Sequence, residues 1–503
     1  MITMFWGQHL IKDQEGRQKV STGISPSGPI HVGNLREILT GDLIYKSLLK
    51  DGKQADFIYL ADDIDPLRKV YPFLPETYSE HVGKPLRDIP APEGNKKYSE
   101  YFLDPFIEAM KTLDVHPEII HSGDLYRDGK FGDIILEYIE KKDTVKQILE
   151  KLSGRQMDTN WFPYNPKCQK CGRINSTTVT GHWDTKVQYT CTCGYSGESD
   201  VYKEEGKLPW RLEWPAKWKL LSVTIEPFGK DHGTQGGSYD TGKEISKAIF
   251  NRDAPLPLLF ERILLKGKGA MHSSTGVNIT AAELLSFAPP EIVRFVISRV
   301  PASRHIEFDP ESGFLNLVDE FERMLKMREQ GKTSEDQNWI LDLSMAGRPY
   351  VAIPDYRHLT TLVQIYDSEP RIREIMEKEG KVYDPAILNE TIRMVRKWVD
   401  VYAPSRAKFH ILGPQEPINL DEAERAIICD LKIALSQMKD LNPDDVHNLV
   451  RDIIEKRGME PKEGFQVIYK AIIGQDSGPR IGYFLSVVPR HKIEERLEAI
   501  CNE

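Results

Sequence analysis

Residues 21–34, Ser-Thr-Gly-Ile-Ser-Pro-Ser-Gly-Pro-Ile-His-Val-Gly-Asn, bring together the residue types that grip an anion. His31 and Asn34 are neutral donors, Gly28 and Gly33 let a ligand lie against the main chain, and Pro26, Ser27 and Pro29 shape a tight turn. The apolar run from Val20 to Ile24 before the turn reads as a strand, and LREILTGDLIYKSLL after it reads as a helix. A strand, a loop and a helix N-terminus leave unpaired amides and the positive end of a helix dipole facing the loop. Phosphate is the anion that such a junction suits.

Two further groupings carry chemistry. A second predicted strand, FIYLA, runs into Asp62, Asp63 and Asp65, and a carboxylate at the end of a parallel strand can hold an ammonium through charge-assisted hydrogen bonds. Cys168-x-x-Cys171-Gly and Cys191-x-Cys193-Gly flank the hairpin pattern TTVTGHWDTKVQYT, the spacing of a zinc ribbon. One residue rather than two separates the second pair, which leaves His182 as an alternative ligand. Four protein ligands would close the shell, so the expected zinc is structural. The other two cysteines, Cys429 and Cys501, stand far off in sequence, and the six together suit a metal site in a reducing compartment better than a disulfide framework.

The elements that must position these groups follow a βα rhythm. Residues 5–19 read as a short amphipathic helix, 71–97 as a loop rich in Pro and Gly, and YSEYFLDPFIEAMKTLDV and FGDIILEYIEKKDTVKQILEKLS as helices around a strand in VHPEIIHSGDLY. SVTIEP is a strand ending at Gly229. Beyond 281 the pattern is helical, with the basic residues Arg294, Arg299 and Arg304 first and a run of amphipathic helices after 333. A chain of 503 residues requires several domains, and 40% hydrophobic with 28% charged residues is ordinary for a globular protein. A net charge of −9 excludes a blanket electrostatic grip on nucleic acid but not local basic surfaces. No run approaches the ~20 apolar residues of a membrane span, and the N-terminus lacks a signal-peptide layout, so a cytoplasmic location is expected.

P-S-G-P-I-H-V-G-N resembles the "HIGH" signature of the class I aminoacyl-tRNA synthetases. The wider chain is similar to the archaeal-type class I lysyl-tRNA synthetases, through G-K-D-H at 229–232, S-Y-D-T-G-K-E-I at 238–245 and the C-terminal third. The fold so implied is α/β: a Rossmann-like parallel-sheet catalytic domain (1–160 and 208–280), a zinc-ribbon insertion (161–207), a connector (281–332) and an all-α helical bundle (333–503) that reads the anticodon. The activity so implied joins lysine to ATP, with Mg2+, and passes the lysyl group to tRNA(Lys), with the chain expected to be a monomer.

Carried onto this sequence, the resemblance assigns Pro26, Ser27, Gly28, His31, Gly33, Asn34, Gly236, Gly237, Asp240 and Met271 to ATP. It assigns Gly23, Ser25, Asp62, Trp210, Glu213, Asp231 and His232 to the amino acid, with Trp210 as a flat wall for an alkylammonium stem and Glu213 as its counter-charge. The block GKGAMHSSTG stands in place of the second signature, "KMSKS", whose lysines neutralise the phosphates during attack. Met271, Ser273 and Ser274 match, but Ala270 and Thr275 stand where the lysines belong. Lys266 and Lys268, with Arg262, are the nearby cations that could supply the charge. Ser21 occupies the register of an arginine that glutamate enzymes use for their acidic substrate. Two alternatives follow: a glutamyl-type enzyme, and an adenylating paralogue whose tRNA charging is weakened by the altered second signature.

Overall fold

The computed structural model describes residues 5–154, 156–267, 269–270, 279–348, 354–378 and 382–502. In chain order a short helix, α1 (Trp6–Ile11), leads to β1 (Gln18–Ile24), α2 (Val32–Lys50), β2 (Ala55–Ala61), α3 (Tyr98–Thr112) and β3 (Glu118–His121). Helices α4 (Ser122–Arg127), α5 (Gly132–Glu140) and α6 (Lys142–Ser153) precede the insertion, which contains β4 (Asn165–Pro166), β5 (Thr177–Trp183), β6 (Lys186–Cys191), β7 (Ser196–Asp200) and β8 (Gly206–Lys207). The chain returns through α7 (Trp210–Leu221), β9 (Ile225–Gly229), α8 (Ser238–Phe250) and β10 (Leu256–Phe260).

The central sheet is parallel, in the order β10-β9-β1-β2-β3. β1 and β2 pair over seven positions, whereas β1 and β9 share the single register pair Val20 and Ile225. Chain direction across the sheet reverses between β1 and β9, so their carboxyl ends open into the crevice where ligands of such sheets bind. Helix α2 covers this centre because Leu35, Ile38, Leu39, Leu43 and Ile44 recur at helical spacing and are at most 1% exposed. Each contributes roughly 1.5–3 kcal/mol by burial.

Residues 71–97, expected as loop, do more than connect. They hold a 3-10 turn (Glu76–His81) and, with Leu67, Tyr98 and Phe102, form a small core around Leu74, Tyr78, Leu86 and Ile89. Aromatic and aliphatic side chains spaced without helical period bury themselves here against one another, which a search for periodicity does not detect.

The chain divides into two compact units. The first, Met1–Leu285, Pro290–Phe308 and Met324–Gly347, adds to the sheet β11 (Ile263–Leu265), β12 (Gly269–Ala270), α9 (Ala281–Leu285), α10 (Pro290–Ser298) and β13 (Ile306–Phe308). Helix α11 (Ser312–Glu329) is divided between the units at residue 323, and α12 (Glu335–Ser344) lies in the first. Arg294 of α10, 1% exposed, is held there by Asp42 of α2 at 2.6 Å and the carbonyl of Leu113 at 2.9 Å.

The second unit, Ser286–Pro289, Asp309–Arg323 and Arg348–Glu503, is helical: α13 (Tyr356–Ile365), α14 (Glu369–Lys378), α15 (Pro385–Val401), α16 (Glu422–Gln437), α17 (Pro443–Lys456), α18 (Pro461–Ile473), α19 (Ile481–Val487) and α20 (Arg490–Asn502). Its helices start where the sequence places caps: Asp384, Asp421 and Asn442 each accept from amides of the first turn. Cys429 of α16 and Cys501 of α20 form a disulfide with Cα atoms 5.7 Å apart. The six cysteines, expected to suit a metal site better than a disulfide framework, thus include one disulfide pair, since helix packing brings together residues 72 apart in sequence.

Candidate functional site

The β1–α2 junction is built as the sequence suggested, with one difference. His31 caps α2: its Nδ1 accepts from the amide of Gly33 at 3.1 Å, and Asn34 Oδ1 accepts from the amide of His31 at 3.2 Å. The amides of Val32 and Asn34 donate at 2.9 Å to the carbonyls of Ile279 and His31. The first three helical amides, expected to be unpaired, are therefore taken within the chain. What remains for an anion is the helix dipole and the side chains. With Nδ1 accepting, His31 carries its proton on Nε2.

The loop itself is held closely. The amide of Ser27 donates to the carbonyl of Ser25 at 2.7 Å, and Tyr98 Oη donates to the carbonyl of Ser27 at 2.7 Å. A Cβ on Gly28 would lie 2.6 Å from the Phe73 ring, so glycine is required there by close approach. Above the loop is a cavity of about 260 Å³, lined by Ser25, Ser27, Gly28, Asn34, Asp65 and Arg68 among others.

Beneath it the acids after β2 meet lysines from the far side of the insertion. Asp65 accepts from Ser25 Oγ and from Lys207 Nζ of β8, and Lys207 also pairs with Glu213 at 2.8 Å. Lys217 of α7 pairs with Asp62 and lies 3.7 Å from Glu213. Tyr126 Oη donates to Glu213 at 3.0 Å and Ser122 Oγ to Asp62 at 2.6 Å. Glu213 is 0% exposed. Asp62 and Glu213, both expected to face a substrate, thus face lysines of the chain itself. Burial raises the Asp65 carboxyl, but Lys207 and Ser25 together hold it below its ordinary range.

Sequence reasoning passed over two acids at the β1–β9 opening. Glu37 of α2 accepts from the amide of Gly23 at 2.9 Å, and burial, with Glu226 and Asp62 nearby, pushes its carboxyl up to about 8. Glu226 of β9 accepts from Trp214 Nε1 at 2.8 Å and from Trp218 Nε1, and burial pushes its carboxyl up to about 7. The available signals were a lone acid on the apolar stretch of α2 and a carboxylate inside the strand SVTIEP. Gly23 has no room for a side chain, since a Cβ would lie 2.5 Å from the carbonyl oxygen of Leu60.

The three tryptophans of α7 divide. Trp214 and Trp218 are core, at 9% and 1% exposure, while Trp210 is half-buried and stacks on Trp214 at 5.4 Å. His232 brings its ring within 5.3 Å of Trp210 and 5.8 Å of Trp214. Asp231 is exposed and paired with Arg262, and Lys230 is paired with Glu261 at 2.5 Å. Gly236 has a φ of +69°, a conformation that favours glycine, and its amide donates to Asp240 at 2.9 Å across the start of α8, where Gly237 precedes the first turn.

Of the second signature, Lys268, Met271, Ser273, Ser274 and Thr275 lie outside the described residues. Lys266 follows β11 and its amide donates to the carbonyl of Phe308 at 2.9 Å. The segment after the signature is placed: Thr280 bridges to His31, and the amide of Ala281 donates to the carbonyl of Ile30 at 3.3 Å. The segment that follows the second signature, 279–281, therefore meets the first signature at the N-terminus of α2.

Cys168, Cys171, Cys191 and Cys193 converge, all four sulfurs lying within 4.8 Å of one another, with Cys168–Cys193 at 3.7 Å and Cys171–Cys191 at 3.6 Å. A tetrahedral zinc with Zn–S near 2.3 Å requires sulfurs about 3.8 Å apart, so the four thiols fit that ion. Gly172 and Gly194, at φ of +71° and +83°, turn the two knuckles. His182 stays outside this group, its ring 5.6 Å from that of Phe162.

Comparison with known proteins matches the same regions. The family described as tRNA synthetases class I (K) matches residues 6–346, and an anticodon binding domain matches 414–501. The chain is similar to a lysine–tRNA ligase of Thermoplasma volcanium, 49% identical over 96% of each chain. It is also similar to one of Picrophilus torridus, 48% identical over 99% of this chain and 100% of the relative, and to one of Archaeoglobus fulgidus, 40% identical over 99% and 100%. With a strand–loop–helix junction at the switch point of a parallel sheet and matches across nearly its whole length, the chain belongs to the class I (K) family of tRNA synthetases.

Proposed function

We propose that this enzyme is a lysine–tRNA ligase that activates lysine with ATP, taken up with Mg2+ as part of the substrate, and transfers it to tRNA(Lys). The observation that carries the amino-acid choice is the surplus of buried carboxyl groups at the β1–β9 opening. Glu226 and Asp62 both act to raise Glu37, Asp62 does the same to Glu226, and Lys217, paired with Asp62, offsets part of this at Glu226. An incoming ammonium would restore both glutamates to their ionised form, whereas a glutamate side chain would add to the repulsion. Ser21, where an acid-binding arginine would stand, agrees with this.

In the first step the lysine carboxylate attacks the α-phosphorus, an O–P bond forms, and pyrophosphate leaves with the electron pair of the broken Pα–O bond. In the second, a 3′-terminal ribose hydroxyl of the tRNA attacks the lysyl carbonyl and AMP departs. No side chain need act as nucleophile; positioning and charge do the work. His31 Nε2 and Asn34 would contact the triphosphate, Gly33 and Gly236–Gly237 would admit the nucleoside, and Trp210 with His232 would close the aromatic side. We assign a structural zinc to the four cysteines, stem contact to 281–332 and anticodon reading to 333–503, in a monomer acting in the cytoplasm. No helix among the described residues is long and apolar enough to cross a membrane.

The deciding experiment is charging of total tRNA with each of the twenty amino acids. Lysine alone is expected to be attached; attachment of glutamate would overturn the assignment. The loss of both signature lysines favours a second reading, an adenylating paralogue. It predicts lysine-dependent ATP–pyrophosphate exchange without aminoacylation.

A further inference from the structure

The cavity over the first signature has one basic residue among its lining groups, Arg68, and no site residue in the assignments above accounts for it. Arg68 is exposed, and among the described residues it has no ion-pair or hydrogen-bond partner. Three other cations among the described residues are engaged. Arg262 pairs with Asp231, Lys230 with Glu261, and Lys69 lies over the Tyr71 ring at 5.6 Å.

The base from which Arg68 projects is fixed. Leu67, 0% exposed, donates its amide to the carbonyl of Lys84 at 2.9 Å and accepts from the amide of Gly83 at 2.8 Å, and Pro66 bridges to Pro85. Three residues earlier Asp65 is locked by Ser25 and Lys207. A guanidinium on a fixed stem, beside Ser27, Gly28 and Asn34, is the arrangement that binds phosphate oxygens in a bidentate manner. The second signature meanwhile offers Ala270 and Thr275 in place of its two lysines.

We propose that Arg68 is a catalytic residue on the leaving pyrophosphate and supplies the positive charge that positions 270 and 275 do not. This rests on the reading of the site as one that activates an amino acid with ATP. As the carboxylate oxygen bonds to Pα and the Pα–O bond to the β-phosphate breaks, negative charge accumulates on the departing pyrophosphate. Arg68 neutralises it without any proton changing place.

The test is steady-state ATP–pyrophosphate exchange by full-length chains, using whichever amino acid the native chain activates. Arg68→Gln is expected to lower kcat about 100-fold with the KM for the amino acid unchanged. Arg68→Lys, which keeps a point charge, is expected to retain activity well above that of Arg68→Gln. Thr275→Lys is expected to restore at least about tenfold to Arg68→Gln but to raise the native chain less than about threefold.

Equal gains from Thr275→Lys in both backgrounds, or a kcat for Arg68→Gln within about threefold of native, would overturn the proposal. A merely structural role would give losses that a lysine at 275 cannot repair. Should Arg68→Gln melt early, the ratio of Arg68→Lys to its Thr275→Lys double variant decides in the same way. Activation of an amino acid other than lysine would sink the substrate assignment while leaving these ratios to judge Arg68.

Discussion

Two clusters, the ribbon thiols and the acids after β2 and on α7, meet their counter-charge in opposite ways. The four thiols of the ribbon have the geometry to take their counter-charge from outside, as a metal ion. Asp62, Asp65 and Glu213 take theirs from within, from Lys207 and Lys217. The first arrangement is assembled by residues 168–193 and is local; the second joins residues as far apart as 62 and 217. Local clusters can be read from spacing, and long-range ones wait for the fold.

Removing the outside charge is expected to have the largest effect. Chelation should cost on the order of 10 kcal/mol of local stability in 161–207, read as protease cleavage within that segment, with one zinc per chain found by atomic emission beforehand. A metal-free chain with an intact ribbon would dissolve the contrast. Removing an inside charge comes next. Lys207→Met leaves Asp65 buried without its cation and Glu213 with only the more distant Lys217, and should destabilise the first unit by about 3–5 kcal/mol in urea unfolding. A loss under about 1 kcal/mol would show that the acids simply take up protons.

A third sulfur arrangement sharpens the comparison, because Cys429–Cys501 needs neither ion nor lysine. Cys501→Ser should cost about 2–4 kcal/mol, confined to melting of the helical unit and reproduced by reductant on the native chain. The smallest effect is a pH slope. Glu37 and Glu226 are raised from an ordinary 4.5 to about 8 and about 7, so between pH 4.5 and these values the folded chain holds more protons than the unfolded one. Stability must then fall as pH rises through that window. The melting temperature of the free chain should drop less from pH 5 to pH 8 in Glu37→Gln than in the native protein, and bound lysine should also flatten the slope. Identical profiles for the native chain and Glu37→Gln would remove Glu37 from the acidic surplus.

How much could be read without coordinates follows the same divide. Ser25 to Asn34 and the cysteine knuckles are contiguous patterns whose local chemistry specifies their geometry, and each is found where the sequence put it. Of the satisfied amides of α2, that of Val32 was not foreseeable, because Ile279 lies some 250 residues downstream. Nor were the partners of Glu213. GKLPWRLEW contains one partner, Glu213, but does not announce that Lys207 turns inward, since the other carboxylate that buries it, Asp65, stands 142 residues away. Glu226 was legible in principle, as an acid in a run of strand formers.

The strand that leaves the ribbon ends in Lys207, the residue on which Asp65, and through it Ser25, depends. The ribbon is consequently not a detachable cassette. An engineer who spliced a short linker from β4 to α7 would remove Lys207 and with it the anchor of Asp65, which lines the cavity at the first signature.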